Sequence, residues 1–306
     1  MSIDVATCRA AVVRVFPDLR AATFRPLAMG WHSLALDVDD RLIFKFPRGE
    51  EAARALRREV RLLAAVRPHL AMRVPDLELV ESPMLFSRHT KIAGDHLLAR
   101  QYGRLPAMAR ERLAEDLALF AAQLHDLDPD DMRAAGAVGI LPWRSLEEIR
   151  RKALPLAPET IRPLCERTLA AFQAAGPDPL GTVYGFFDGH GWNMAFDHKR
   201  QRLNGIYDFA DSGMGPVHQE LVYPAFVSHE LTRVMAGRYA RLTGRPLDME
   251  RIAMLIGMHR LSELAELAHV PRNVTMARDH LVRWAEEHHT LLRPAGRGPS
   301  PGSAAD

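Results

Sequence analysis

Between Tyr184 and Asp211 the chain reads YGFFDGHGWNMAFDHKRQRLNGIYDFAD, a stretch that admits few structural solutions. A short apolar run leads to a polar loop in which Asp188 precedes Asn193 by five residues, and two strand-like segments then flank HKRQR, the second closing at Asp208. Carboxylate, carboxamide and carboxylate are thereby expected on one hairpin. Phosphoryl transfer uses such a set, one carboxylate orienting a hydroxyl nucleophile while an asparagine and a second aspartate hold magnesium against nucleotide phosphates. Mg²⁺ takes one or two carboxylates together with waters and phosphates, so two or three side chains suffice. Five-residue Asp/Asn spacing alone describes many turn-forming hairpins; the second aspartate at a strand end separates this one from them.

Upstream, only four lysines occur, and one of them, Lys45, lies in the apolar strand Leu42-Ile43-Phe44-Lys45-Phe46. An ammonium there must snorkel to water or meet an anion. Fourteen residues later, EEAARALRREVRLLAAV predicts a helix with Ala52, Leu56, Val60 and Leu63 along one stripe and Glu59 at its edge. Glu59 can serve Lys45, or it can pair with Arg58 or Arg61 and face solvent. Strands are expected near 23–29, 33–38 and 41–46, with Asp39-Asp40 as a hairpin turn, after a leading helix at 3–16 that includes Ile3. Two more strands are expected around Ser82-Pro83, and a core helix over 110–127 carries His125 as a structural histidine. Gly30 is the single glycine of the first turn, so neither G-x-G-x-x-G nor a Walker A sequence is present. Ser33 is a candidate for the phosphate side of that turn, and equally a plain surface residue.

The 184–211 stretch resembles the signature of the aminoglycoside phosphotransferase family, protein-kinase-like small-molecule phosphotransferases: H-G-D-x-H-x-x-N followed by I-D-F-x-D. Asp188, His190, Asn193, Asp208, Phe209 and Asp211 fall on that pattern, while Phe186 and Phe187 stand where the family has His and Gly. Strand lysine, helix glutamate and catalytic loop also follow in the family's order. The resemblance implies an α+β, kinase-like bilobal fold: a small antiparallel-sheet nucleotide lobe over 1–92, a hinge about 88–94, and a larger, mainly helical lobe over 95–293. Residues 294–306 carry the Pro, Gly and Ser content of a disordered tail. It further implies ATP or GTP as donor with Mg²⁺, Asp188 acting on the acceptor, Asn193 and Asp208 on the metal, and Lys45 held by Glu59 against the phosphates. The base is then expected along Arg88, His89, Thr90 and Ile92.

The acceptor implied is a hydroxyl of a small molecule, foremost an aminoglycoside-type antibiotic, with macrolides or other metabolites as alternatives and a pseudokinase as the non-catalytic one. A polycation asks for carboxylates, and Asp211, Glu220, Glu230, Glu263 and Glu266 are candidates, although ordinary solvated helix charges explain them as well. Nine acids face nine arginines between His218 and Leu292, so no acidic excess marks this region.

At 306 residues, 47% apolar and 25% charged, with a net charge of +2, the composition is that of a globular protein without a basic block for nucleic acid. Cys8 and Cys165 form no metal or disulfide pattern, and no apolar run suits a signal or a bilayer span. A cytoplasmic monomer is expected. Rival chemistries fail on residue type: His229-Glu230 begins a zincin motif but Arg233 stands where the second His belongs, and no G-x-S-x-G occurs. His190, His198 and His218 lack ligand spacing and are expected to be solvent-exposed.

Overall fold

The computed structural model describes residues 4–27 and 33–288. Ile3, Gly30 and the 294–306 tail, on which expectations fell, lie outside the described residues. The chain falls into two compact units, Met1–Leu141 with Asp178–Leu247 and Pro142–Pro177 with Asp248–Asp306.

In the first unit, period-two apolar patterning builds a five-stranded antiparallel sheet in the order β1-β2-β3-β5-β4, from β1 (Phe24–Pro26), β2 (Ser33–Val38), β3 (Leu42–Pro47), β4 (Glu78–Val80) and β5 (Phe86–Thr90). Asp39 and Asp40 turn the β2–β3 hairpin with φ of 56° and 58°, a left-handed pair that short polar side chains tolerate. One sheet face, with Leu34, Leu36, Val38, Phe44, Phe46 and Phe86, packs on Cys8 and Val12 of helix α1 (Val5–Val15). The register pairs Lys45 with Ser87 and Ile43 with His89, so these four side chains leave by the opposite face.

Helix α2 (Glu50–Val66) follows β3. The structure corrects its expected stripe: Leu56, Glu59, Leu62, Leu63 and Val66 are buried, whereas Ala52 and Val60 are only half-buried. The inward face turns toward Glu59 because that carboxylate has two partners inside, described below. Further along, helix Ala107–His125 packs against helix His229–Thr243, joined at the surface by Arg110–Glu230 at 3.0 Å. The expected hairpin around HKRQR forms from β7 (Met194–Asp197) and β8 (Arg202–Ile206), while β6 (Thr182–Gly185) pairs with β9 (Gly213–Pro216). The sequence GMGP gave no strand signal for β9; its close pairing is possible because Gly213 and Gly215 leave no side chain to collide with Val138 and Phe187.

The second unit is helical: Leu146–Lys152, Arg162–Ala174, Met249–Leu267 and Pro271–His288. Trp284 is fully buried and donates from Nε1 to the Ala253 carbonyl at 2.9 Å, its ring lying where a Cβ on Gly257 would approach to 2.3 Å. Buried Arg260 donates to Glu263 at 3.0 Å, and His280 lies 3.4 Å from the same carboxylate. Burial opposes ionisation of Glu263, but the His280 hydrogen bond and the Arg260 charge outweigh it and take the carboxyl from its ordinary 4.5 to about 2. Among the described residues no helix is long and apolar enough to cross a membrane.

Because the folded-state value of Glu263 is depressed, its stabilisation is fully present above the ordinary carboxylate value and lost as pH falls toward the folded one. Glu263→Gln should therefore lower the unfolding free energy by roughly 2–3 kcal/mol near neutrality. Urea midpoints of wild type and variant should converge as the pH is lowered through the acid range. A gap that stays constant with pH would refute the depressed titration of Glu263.

Candidate active site

Lys45, on the inner face of β3, donates from Nζ to Glu59 Oε2 at 3.2 Å and to Asp208 Oδ1 at 2.6 Å. Burial opposes its charge, yet the two carboxylates prevail and raise its pKa above the ordinary lysine value. Glu59 is 3% exposed; burial pushes its carboxyl up while the Lys45 ammonium opposes that shift. Its second oxygen accepts from the Phe209 backbone N–H at 3.0 Å, so one side chain holds both the lysine and the turn after β8. Arg58 and Arg61, the alternative partners, donate instead to the carbonyls of Ala210 and Ala135.

The 209–211 turn is entered through Asp208 in the left-handed region, φ 70°. That conformation, unusual but tolerated by aspartate, directs its half-exposed carboxylate toward Lys45. Phe209 packs 4.7 Å from Phe186, and Phe120 meets both rings edge-on at 5.8 and 6.2 Å. Phe186, at the place of the family's His, thus joins the loop that carries Asp188 to the Asp208 turn through an apolar contact.

Phe187 takes φ 53°, costly for a bulky residue, and is held there by Glu220, whose two oxygens accept its N–H at 3.2 and 3.0 Å. Glu220 is 4% exposed, with His125 Nε2 3.9 Å away and His125 Nδ1 in turn 2.8 Å from the Tyr239 hydroxyl. Asp188 follows. Asn193 Nδ2 donates to its Oδ2 at 2.6 Å and to its carbonyl at 3.0 Å, and His190 Nε2 lies 3.0 Å from its Oδ1. Burial opposes protonation of His190, but the hydrogen bond and charge of Asp188 raise its pKa above the usual value. At Gly191 a Cβ would lie 1.8 Å from the Leu97 carbonyl, a close approach only glycine permits. Leu97 N–H donates to the Gly191 carbonyl, stitching the loop to the segment after residue 92.

Lys45, Glu59 and Asp208 therefore meet, and Asp188 and Asn193 meet. The remaining candidates are more scattered. Ser33 opens β2 opposite Pro47. The Arg88 side chain leaves by the α1 face, 4.2 Å above the Phe16 ring and paired with Glu78. His89 lies on the Lys45 face, Thr90 ends β5 exposed, and Ile92 packs over Gly205. Of the acids, Asp211 is exposed at the end of its turn, Glu220 is buried under the loop that carries Phe187 and Asp188, and Glu230 pairs with Arg110. Glu263 and Glu266 belong to the second unit, paired with Arg260 and Arg144. The histidine expectation is corrected at two positions: His190 is engaged by Asp188, and His218 is buried with Nδ1 2.8 Å from Asp178. Sequence reasoning missed the bracing of Phe187 by Glu220, for which HQE offers no signal, and the contact of His190 with Asp188, which the i, i+2 spacing permits without requiring.

No cluster of three or more His, Cys, Asp or Glu side chains suited to a metal occurs among the described residues. Asn193 and Asp208 nevertheless fit Mg²⁺ shared with phosphates: the Asn193 amide spends its nitrogen on Asp188, leaving its oxygen as the available donor, and Asp208 has a second carboxylate oxygen beside the one on Lys45.

Residues 23–255 match the model of the phosphotransferase enzyme family, APH, and the chain belongs to that family. Similar solved structures include the GDP complex of an aminoglycoside 2'-phosphotransferase-IIIa variant (TM-score 0.80, 18% identity, covering 95% of this chain and 100% of that one). The GDP and kanamycin complex of an APH(2″) enzyme (TM-score 0.75, 19% identity, 92% and 98%) is also similar. So is a macrolide 2'-phosphotransferase from Brachybacterium faecium (TM-score 0.61, 20% identity, 94% and 99%). At these identities the likeness establishes the fold: a small antiparallel sheet with a mainly helical remainder, as in the kinase-like phosphotransferases. No curated protein matches the chain.

Glu220→Ala should strip the Phe187 amide of its buried acceptor, and that amide should then exchange with deuterium at least about tenfold faster, the lower end of the cost of an unmet hydrogen bond. Glu220→Gln keeps an acceptor oxygen and should retain most of the protection. Equal exchange in all three proteins, followed by mass spectrometry, would show that Glu220 does not hold the loop.

Proposed function

We propose that the protein transfers the γ-phosphoryl group of ATP or GTP to a hydroxyl of a small molecule. The observation that carries this reading is the convergence of Lys45, Glu59 and Asp208, from three separate elements, on one ammonium. Asp188 and Asn193, joined to each other, supply the remaining parts. A lysine kept charged by two carboxylates suits phosphate oxygens, and the family membership supports the same chemistry.

In this reading Lys45, aimed by Glu59, orients the α- and β-phosphates, and the backbone near Thr90 and Ile92 receives the base, placing the lobe boundary at the hinge. Asn193 and Asp208 hold Mg²⁺, which when bound neutralises charge on the phosphates. Asp188 accepts the proton of the acceptor hydroxyl as its oxygen bonds to the γ-phosphorus and the bond from that phosphorus to the nucleoside diphosphate breaks. His190 fixes one carboxylate oxygen of Asp188 and Asn193 the other, so the base is held in one orientation. Turnover is favoured over a binding-only role because Phe186 and Phe187, despite replacing His and Gly, leave the loop braced by Phe209 and Glu220.

Aminoglycosides head the list of acceptors, since the similar structures include one solved with GDP and kanamycin, and macrolides follow. The enzyme is taken to act as a cytoplasmic monomer, where ATP and GTP are available. A phosphotransfer screen over aminoglycosides, macrolides and amino alcohols identifies the acceptor. On that acceptor Asp188→Asn should keep magnesium-nucleotide binding and lose turnover by about 10²- to 10⁴-fold. Asp208→Ala should instead abolish the magnesium dependence of nucleotide binding in calorimetry. Wild-type turnover by the first variant would remove Asp188 as the base, and unchanged magnesium dependence in the second would remove the metal assignment.

A further inference from the structure

On helix Ala107–His125, Asp116, Leu119, Phe120 and Gln123 stand at positions i, i+3, i+4 and i+7 and so share one face. With Leu203 of β8 and Arg73 from the segment before β4 they line a cavity of about 170 Å³ within the first unit. Phe120 and Leu203 are buried, and Leu119 beside them is 38% exposed, an apolar side chain left open to solvent. Asp116 is half-buried and Arg73 exposed. Among the described residues neither of these two side chains makes a hydrogen bond or an ion pair, with the other or with a third group. Burial holds the Asp116 carboxyl above its ordinary value, against the charge of Arg112. Gln123 gives its amide oxygen to the Ala71 N–H at 3.0 Å, which leaves its amide nitrogen as a donor.

Opposite charges that line one cavity without meeting leave room for a group that carries both. At ~30 Å³ per water the space takes about half a dozen water-sized groups, a scale that admits a single amino acid and excludes a nucleotide or an aminoglycoside. We propose that this cavity binds a free apolar α-amino acid, its ammonium on Asp116, its carboxylate on Arg73 and the Gln123 amide, and its side chain on Leu119, Phe120 and Leu203. A carboxylate withdrawn from water without a partner is costly, and an ammonium supplies the missing one. The guanidinium matches a carboxylate by its fork of donors, but it is exposed, so its share is the smaller. The site stands apart from the Lys45–Glu59–Asp208 and Asp188–Asn193 sets and does not depend on the phosphotransferase reading.

The test is a ligand-observed NMR titration of wild type, Asp116→Asn and Arg73→Gln with L-valine and three analogues: 3-methylbutanoate without the ammonium, isobutylamine without the carboxylate, and glycine without the side chain. Wild type should bind valine more tightly than 3-methylbutanoate by about tenfold, the scale of a hydrogen bond to a charged group. Its preference for valine over isobutylamine should be about threefold, as for an exposed ion pair. Glycine should bind more weakly than valine. Asp116→Asn should bind valine and 3-methylbutanoate alike while holding 3-methylbutanoate as wild type does, which shows the fold to be intact. Arg73→Gln should likewise lose the preference for valine over isobutylamine. The proposal is overturned if valine shows no saturable binding below about 10 mM, or if both variants keep the wild-type preferences. Displacement of valine by Mg-ATP would place it in the nucleotide site and overturn the proposal as well.

Discussion

An ammonium on the inner face of an apolar strand has to be met by negative charge, and the way Lys45 is met organises the first unit. Its partners come from α2 and from the turn after β8, elements separated by most of the unit's sequence. Glu59 reaches Lys45 with one oxygen and the Phe209 amide with the other, so the rotation of α2, the β3 side chain and the Asp208 turn are fixed by a single carboxylate. Removing one partner from a buried ionic group leaves the other uncompensated, which is why such a set is costly to break singly.

From that turn the constraint passes to the loop at 186–193 by packing. Phe209 lies against Phe186, and the next residue, Phe187, is held in a left-handed conformation by Glu220. Asp188 leaves this brace with its two oxygens occupied by His190 and Asn193. The two aromatic residues that depart from the family pattern are therefore part of how the loop is held: Phe186 packs its ring on Phe209 and Phe120, and Phe187 contributes a backbone donor, which any residue but proline supplies.

Most of this was legible in the sequence where local pattern and chemistry coincide. The strands around Lys45 and the Asp39-Asp40 turn follow from alternation and turn residues, and the five-residue spacing of Asp188 and Asn193 placed them within hydrogen-bond reach. The Lys45–Glu59 pair was one of two open readings, and residue order in the family favoured it. What escaped the sequence depends on backbone groups and distant packing. Glu220 reads as a surface helix acid, yet it is buried because a main-chain N–H, invisible to side-chain patterns, lacks a partner there. The stripe on α2 was misplaced because an apolar count ignores a carboxylate drawn inward by charge. β9 carried no signal because two of its four residues are glycines selected by close approach.

The central claim is that Lys45 and Glu59 act as one unit in holding phosphates, and a double-mutant cycle on nucleotide affinity tests it most directly. Lys45→Ala, Glu59→Ala and the double variant are titrated with Mg-ATP or Mg-GTP. If the account holds, the second substitution adds little to the first, with a coupling of about 1 kcal/mol or more. Effects that add to within about 0.5 kcal/mol would mean that the two residues act independently, and the pair would then be a structural contact with no part in positioning the nucleotide.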